Sequence, residues 1–82
     1  MSNQVKQSNR ISYSIIATDV NVAEGSVLQT YGISCSKEGK AIETIEDIST
    51  ERSDVEQMVE RFNSTNLPPE FFRYVVEGEV DK

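Results

Sequence analysis

The amino-acid sequence predicts an α+β domain: a three-stranded antiparallel meander in the order 1-2-3, with two carboxyl-terminal helices packed on one face. The first half of the chain holds three runs rich in Ile, Val, Thr and Tyr, which favour strands. A capping sequence and a proline pair then frame two short amphipathic segments, residues 53–64 and residues 68–79. Two such helices need an apolar surface to cover, and the sheet would supply it.

Alternating apolar and polar residues predict the first two strands. The first strand, residues 11–18, directs one set of side chains toward a core: Ile11, Tyr13, Ile15 and Ala17. The second strand, residues 27–36, has its own inward set: Val27, Gln29, Tyr31, Ile33 and Cys35. Its opposite side is small and mostly polar. A glycine turn at residues 23–26 reverses the chain between the two strands.

The third strand is predicted at residues 41–48, after a turn at residues 37–40 in which Gly39 can take a positive φ without steric cost. Its isoleucines lie at positions 42, 45 and 48, a spacing of three that fits neither a flat strand nor a full helical stripe. A β-bulge near Thr44 would add one residue to the count and bring all three isoleucines inward. We therefore expect an irregular third strand.

The first helix is predicted from a capping box in which the Ser53 hydroxyl accepts from the backbone near Glu56 and the glutamate reaches back. Ser49 or Thr50 could instead cap the helix one turn earlier. The apolar stripe that follows spans about 100° of the helix, the width of a face that meets a core. Its members are Val55, Met58, Val59 and Phe62.

The second helix is predicted to begin at Pro68 or Pro69, because proline is favoured at a first helical position, and to stop at Gly78. Aromatic residues cluster in its first turns. One helix face cannot hold all of them, so we expect Phe71 and Phe72 in the core and Tyr74 at a rim or an interface.

Length and composition indicate one small domain, residues 11–80, preceded by a flexible arm, residues 1–10, that is poor in apolar side chains. Cys35 is the only cysteine and histidine is absent, so neither an intrachain disulfide nor an ordinary zinc site is expected. We expect no metal and no cofactor. Small domains without such supports are marginally stable, which makes self-association the expected reinforcement.

The charge is divided unevenly along the chain. Residues 1–40 carry four basic and three acidic side chains, a net +1, whereas residues 41–82 carry four basic and eleven acidic ones, a net −7. No basic stripe exists to neutralise phosphates, so nucleic acid and anionic membrane surfaces are not expected partners. The amino terminus lacks the apolar segment of a secretory signal, and we expect a cytoplasmic protein whose thiol stays reduced.

The sequence holds no complete catalytic constellation. Cys35 has no histidine beside it to lower its pKa, and a small strand residue is the better interpretation. The carboxylates of the third strand, Glu43, Glu46 and Asp47, fit a solvated edge. We therefore predict no enzyme and no catalytic residue. Two alternatives remain open: a small enzyme that uses Cys35 or the third-strand carboxylates, and an acidic decoy that imitates nucleic acid.

A binding function is the expectation that remains. We predict a non-catalytic module with a regulatory or adaptor role that binds a protein partner or associates with itself, because an open meander leaves two sheet edges that could pair across a two-fold axis to give a homodimer. The residues predicted to contact a partner are Tyr74, Phe71, Glu43 and Glu46.

The order of several short motifs resembles a known family. The motifs are Tyr-Gly-Ile at 31–33, Ile-Glu-Asp-Ile-Ser at 45–49, the stripe from Val55 to Phe62, Leu-Pro-Pro at 67–69 and Val-Val-Glu at 75–77. Together they are similar to a family of short bacterial proteins catalogued only as a domain of unknown function. The resemblance covers residues 11–80 and departs from the family pattern at Gly78. It implies a small cytosolic domain with no known activity.

Overall fold

The computed structural model describes the backbone of residues 10–80 and the side chains of residues 10–78. Its elements are β1 (Ile11–Ala23), β2 (Ser26–Lys37), β3 (Lys40–Ser49), α1 (Arg52–Thr65), a 3₁₀ turn (Pro69–Phe71) and α2 (Phe72–Val80). The strands form one antiparallel sheet in the order β1-β2-β3, which confirms the predicted α+β class and topology. The predicted arm, residues 1–10, lies outside the described residues except for Arg10.

The pairing of β1 with β2 extends well past the predicted end of the first strand. Tyr13 lies opposite Cys35, and Ile15 lies opposite Ile33, so these members of the predicted inward sets do face each other. Ala17, Val27 and Gln29 are exposed, so the prediction that they face the core is wrong. The pairing then continues as far as Ala23 and Ser26. Polar residues such as Asp19 and Asn21 disfavour strands in isolation, and pairing with β2 carries them into the ladder.

β3 accompanies only part of β2. It pairs with β2 from Lys37 back to Tyr31, and no other strand among the described residues pairs with residues 26–30 on that side. Residues 18–30 therefore form a two-stranded hairpin end that extends past β3. We call residues 18–30 the ribbon and the remainder of the described chain the base.

β3 contains two irregularities, one on each side of Thr44, which confirms the expected irregular strand. Thr44 itself pairs regularly with Ser34, so the predicted one-residue bulge is displaced from Thr44 to Ile42. On the other side, residues 46–48 lie opposite the single residue Gly32, which inserts two further residues. Asp47 takes a positive φ of 58°, which asparagine and aspartate tolerate better than most residues.

The bulges direct the three isoleucines of β3 to different places. Ile45 and Ile48 pack against the core, but Ile42 is about half exposed. The prediction that all three point inward is therefore wrong for Ile42. The one-residue insertion at Ile42 changes the side to which the strand's residues point. The second insertion adds two residues, so Ile45 and Ser49 lie on the same side.

The second insertion brings the backbone of β3 across Gly32. A Cβ atom at Gly32 would lie 2.8 Å from the Glu46 Cα atom and closer still to the Ile45 carbonyl oxygen. Real Cβ atoms do not approach backbone atoms so closely, and glycine is needed because it has no Cβ. This close approach covers Gly32 on the face of the sheet away from the helices, and Thr30 nearby is buried.

α1 begins without the predicted capping box. Its N-cap is Glu51, whose side chain makes no capping hydrogen bond. The Glu56 carboxylate accepts from Arg52 Nε at 2.7 Å and so does not reach back to Ser53. The Ser49 hydroxyl accepts from the Glu51 N–H at 3.0 Å, which orders the turn between β3 and the helix.

The two helices are joined by a tight turn. Asn66, in the left-handed conformation with φ 54°, ends α1, and the Leu67 N–H donates to the Phe62 carbonyl at 3.0 Å. α2 continues through Gly78 to Val80, so the predicted stop at Gly78 is wrong. A glycine inside a helix costs only about 1 kcal/mol relative to alanine.

The core lies between the sheet and the helices. Its buried residues are Tyr13, Ile33, Cys35, Val55, Met58, Phe62, Phe72 and Val76. The rings of Tyr13, Phe62 and Phe72 pack edge to face, with centroid separations of 5.2 to 6.2 Å. Phe72 and Val76 lie four residues apart on one face of α2. Phe71 belongs to the 3₁₀ turn and is 49% exposed, so its predicted place in the core is wrong.

None of the helices described between residues 10 and 80 is both long enough and apolar enough to cross a bilayer.

Candidate functional site

The paired apolar residues of the ribbon, Val20 and Leu28, lie on the opposite side of the sheet from the buried residues of the base. Val27, at an odd-numbered position, lies on the helix side and is exposed. In the base, odd-numbered residues such as Tyr13 and Ile33 face the helices. In the ribbon, the apolar pair is Val20 opposite Leu28, at even-numbered positions. Because side chains alternate along a strand, this pair points away from the helices.

Polar groups occupy the helix side of the ribbon. The Tyr31 hydroxyl donates to Gln29 Oε1 at 3.0 Å, and Gln29 Nε2 donates to Asp19 Oδ1 at 3.3 Å. The Arg52 guanidinium lies 5.7 Å from the centroid of the Tyr31 ring, within the range of a cation–π contact. This polar chain marks the point at which the core ends.

The tip of the ribbon exposes apolar surface. Val27 is 63% exposed and Leu28 is 41% exposed, and Val22 is also exposed. An isolated two-stranded hairpin is marginally stable in water, because it has no third layer on which to bury such groups. Three of the six large apolar side chains that are exposed in the described chain therefore lie in the ribbon.

The contact between Asn63 of α1 and Tyr13 of β1 shows which residues of β1 point their backbone N–H and C=O groups away from β2. The Tyr13 N–H donates to Asn63 Oδ1 at 2.8 Å, and Asn63 Nδ2 donates to the Tyr13 carbonyl at 2.9 Å. The backbone of Tyr13 therefore points away from β2. Since the direction alternates along a strand, the N–H and C=O groups of Ile15, Ala17 and Asp19 also face the outer edge of β1.

The same alternation applies to β2. Cys35 lies opposite Tyr13, so its backbone groups point toward β3, as do those of Ile33 and Tyr31. The backbone groups of Gln29 and Val27, which precede Tyr31 by two and four residues, point the same way. β3 does not extend to these two residues. Residues 26–30 thus offer an edge with two outward N–H and two outward C=O groups.

An open groove of about 410 Å³ lies beside β1. It is lined by Ile15, Ser53, Glu56, Gln57, Val59 and Glu60. The lining combines two apolar residues, one from the strand and one from the helix, with two carboxylates and no basic side chain. The outward backbone groups of Ile15 and Ala17 lie along the same edge.

Cys35 is placed where thiol chemistry is disfavoured. It is fully buried, and this burial raises the pKa of the thiol, with Glu43 acting in the same direction. A nucleophilic cysteine needs the opposite change. Its neighbour Tyr13 donates its hydroxyl to the Leu67 carbonyl at 2.6 Å, and burial also raises the pKa of this phenol.

The four residues predicted to contact a partner lie in two parts of the fold. Two belong to the helical layer and two belong to β3. Phe71 and Tyr74 lie on the outer surface of the helical layer, and Tyr74 is 79% exposed. Glu43 accepts from Arg73 Nε at 2.8 Å, so it joins β3 to α2, while Glu46 lies in the exposed second bulge. A partner contact at these four residues remains a prediction.

The alternation of apolar and polar residues does not predict the ribbon, because Asp19 and Asn21 interrupt the strand pattern. The available signal was the pair of apolar residues at even positions, Val20 and Leu28, on either side of a glycine turn. Within the described residues, no group of three or more acidic or cysteine side chains is arranged to hold a metal ion.

The fold and its edges define a class of small α+β domain, in which a three-stranded meander carries two helices on one face and extends a hairpin beyond them. The chain belongs to a family of unknown function, DUF6514, whose model matches residues 1–82. This confirms the predicted membership of a domain-of-unknown-function family. Comparisons with curated proteins and with solved structures gave no match.

Proposed function

We propose that the protein is a non-catalytic binding module that associates with a second copy of itself through the ribbon. The observation that supports this proposal is the two-stranded ribbon, which combines an unpaired β2 edge with exposed Val27 and Leu28. Unpaired strands with apolar side chains are templates for pairing with another chain. A homodimer is the simplest assembly that uses such an edge twice.

The register of the proposed dimer follows from the outward backbone groups. A two-fold axis at Leu28 places Val27 opposite Gln29 of the second copy, and Gln29 opposite Val27 of the second copy. Each of these pairs exchanges two backbone hydrogen bonds, because both residues point their N–H and C=O groups toward the open side. The two Leu28 side chains then lie side by side.

The dimer joins the apolar faces of two ribbons. Val20 and Leu28 of each copy form one row on the side away from the helices. Both copies carry a net charge of −6, which opposes association in general. Residues 26–30 contain no charged side chain, so this edge is where two copies meet with the least repulsion.

The buried thiol argues against the alternative of a cysteine enzyme. The alternative of a cysteine enzyme requires a thiolate, whereas burial raises the pKa of Cys35. We propose a reducing, cytoplasmic location for the same module, where a lone cysteine persists as a thiol.

Sedimentation equilibrium over a wide concentration series tests the proposal. The apparent mass should rise from 9.2 kDa toward twice that value as concentration increases. Leu28→Lys should keep the chain monomeric, because two ammonium groups would be brought together at the axis. Phe71→Lys is the matched control, since it charges an equally exposed apolar residue outside the ribbon and should leave association intact.

A constant mass of 9.2 kDa at every concentration would refute the dimer. Loss of association in Phe71→Lys but not in Leu28→Lys would move the interface to the helical layer.

A further inference from the structure

We propose that the groove between β1 and α1 binds an extended, cationic segment of another protein by strand addition to the outer edge of β1. This site lies on the opposite edge of the β1–β2 pair from the edge proposed for the dimer. It therefore goes beyond self-association and does not depend on it.

Asn63 already acts as a substitute for a neighbouring strand at one position of this edge. Its side-chain amide both accepts from the Tyr13 N–H and donates to the Tyr13 carbonyl, as the backbone of a paired strand residue would do. The bidentate contact ends strand pairing at Tyr13. An added strand would begin beyond it, at Ile15.

The backbone groups that would bind the segment belong to Ile15, Ala17 and Asp19. Their N–H and C=O groups point outward, by the alternation that the Tyr13 contact establishes. A strand added to a sheet edge obtains its affinity from such main-chain hydrogen bonds, and its specificity from pockets for alternate side chains. The edge and the groove thus supply the two parts of this recognition mode.

The groove receives every second side chain of the added strand. Its apolar lining, Ile15 from β1 and Val59 from α1, suits aliphatic groups or the methylene chains of lysine and arginine. Val59 is only half buried, so its remaining surface is available for contact.

The charge of the lining selects a cationic segment. Glu56 and Glu60 contribute carboxylates, and the lining contains no basic side chain. Arg52 at the start of α1 is paired with Glu56 at 2.7 Å, with more than half of each side chain exposed, so this pair is open to exchange with an incoming cation. An anionic segment would meet repulsion along the same surface.

The test uses two fluorescein-labelled octapeptides, one of alternating valine and lysine and one of alternating valine and glutamate, titrated with the full chain. Fluorescence anisotropy should show binding of the lysine peptide at least about tenfold tighter than binding of the glutamate peptide. Backbone ¹⁵N resonances of Ile15, Ala17 and Glu60 should shift on binding of the lysine peptide.

Ala17→Pro tests strand addition itself. It removes an outward N–H without removing a hydrogen bond to β2, and proline is tolerated at such edge positions. This variant should lose binding, while the matched variant Ala17→Val should retain it. Unfolding curves for both variants would establish that each is folded.

Equal binding by Ala17→Pro and Ala17→Val, or by the lysine and glutamate peptides, would overturn the proposal, as would no binding of either peptide. The monomeric variant Leu28→Lys should bind the lysine peptide as the wild type does. This result separates failure of the groove from failure of the proposed dimer.

Discussion

The base and the ribbon are built from the same two strands, but their paired apolar residues lie on opposite sides of the sheet. In the base, Tyr13 and Ile33 turn toward the helices and are buried. In the ribbon, Val20 and Leu28 turn the other way, and a polar chain takes the helix side. The two helices can cover only one of these sides. The exchange of sides shows that the ribbon is not an extension of the core, and its apolar side chains stay exposed.

The energetics of the two regions differ for the same reason. Three aromatic rings pack edge to face in the base, and such pairs each add about 0.5–1.5 kcal/mol beyond the burial of their surface. The ribbon has no such buried cluster and relies on backbone hydrogen bonds and on exposed polar contacts. We therefore expect unfolding to be controlled by the base.

Truncation of one apolar side chain in each region gives the largest contrast. Phe72→Ala should lower the free energy of unfolding by about 3–5 kcal/mol, because it leaves a cavity at the centre of the aromatic cluster. Leu28→Ala should cost less than about 1 kcal/mol in dilute, monomeric protein, since Leu28 is 41% exposed. Urea denaturation measures both values. Similar losses in the two variants would contradict the division into base and ribbon.

Gly32→Ala tests the close approach of β3 to β2 at the junction between the base and the ribbon. Gly32→Ala should destabilise the chain by about 1–3 kcal/mol, because its Cβ would collide with the backbone of β3 at Ile45 and Glu46. Gly78→Ala is the matched control: nothing lies within 4 Å of its Cβ position, and alanine favours a helix by about 1 kcal/mol. Urea denaturation should show changes of opposite sign. A Gly32→Ala variant as stable as the wild type would mean that β3 does not cross this position.

The base was predictable from sequence because its periodicities are regular. Val55, Met58 and Phe62 repeat at helical spacing, and Ile33 and Cys35 repeat at strand spacing, and all five are buried. Each such pattern reports a one-sided environment, which is what periodicity measures. The class, the strand order and the helix-covered face followed from these patterns.

The features that escaped prediction depend on tertiary contacts that no local pattern records. The position of the bulges is determined by how β3 crosses Gly32, and the N-cap depends on the competition of Arg52 for Glu56. The local sequence does not predict the open edges of β1 and β2, because each edge begins where a neighbouring strand or helix ends. Asn63 illustrates this limit, since its contact with Tyr13 joins residues fifty positions apart.

Alkaline pH should lower the free energy of unfolding through two groups of the base, by less than the substitutions above. Burial raises the pKa of both Tyr13 and Cys35 in the base. In the unfolded chain the thiol ionises near pH 8.5 and the phenol near pH 10, whereas the folded protein still holds both protons at these values. The unfolded state therefore binds fewer protons, and stability falls as pH rises from about 8.5 upward. Below that range both groups are protonated in both states, and they contribute no slope.

Tyr13→Phe isolates the contribution of the phenol. It removes the hydrogen bond to the Leu67 carbonyl and should cost about 1 kcal/mol at neutral pH. Above pH 10 its stability should fall less steeply than that of the wild type, because only the thiol still titrates with a raised pKa. Tyr74→Phe, which removes a hydroxyl from a residue that is 79% exposed, should keep both the neutral stability and the alkaline slope of the wild type. Urea midpoints across pH 7–11 would measure these slopes. An unchanged slope in Tyr13→Phe would show that the alkaline sensitivity does not arise from the buried phenol of the base.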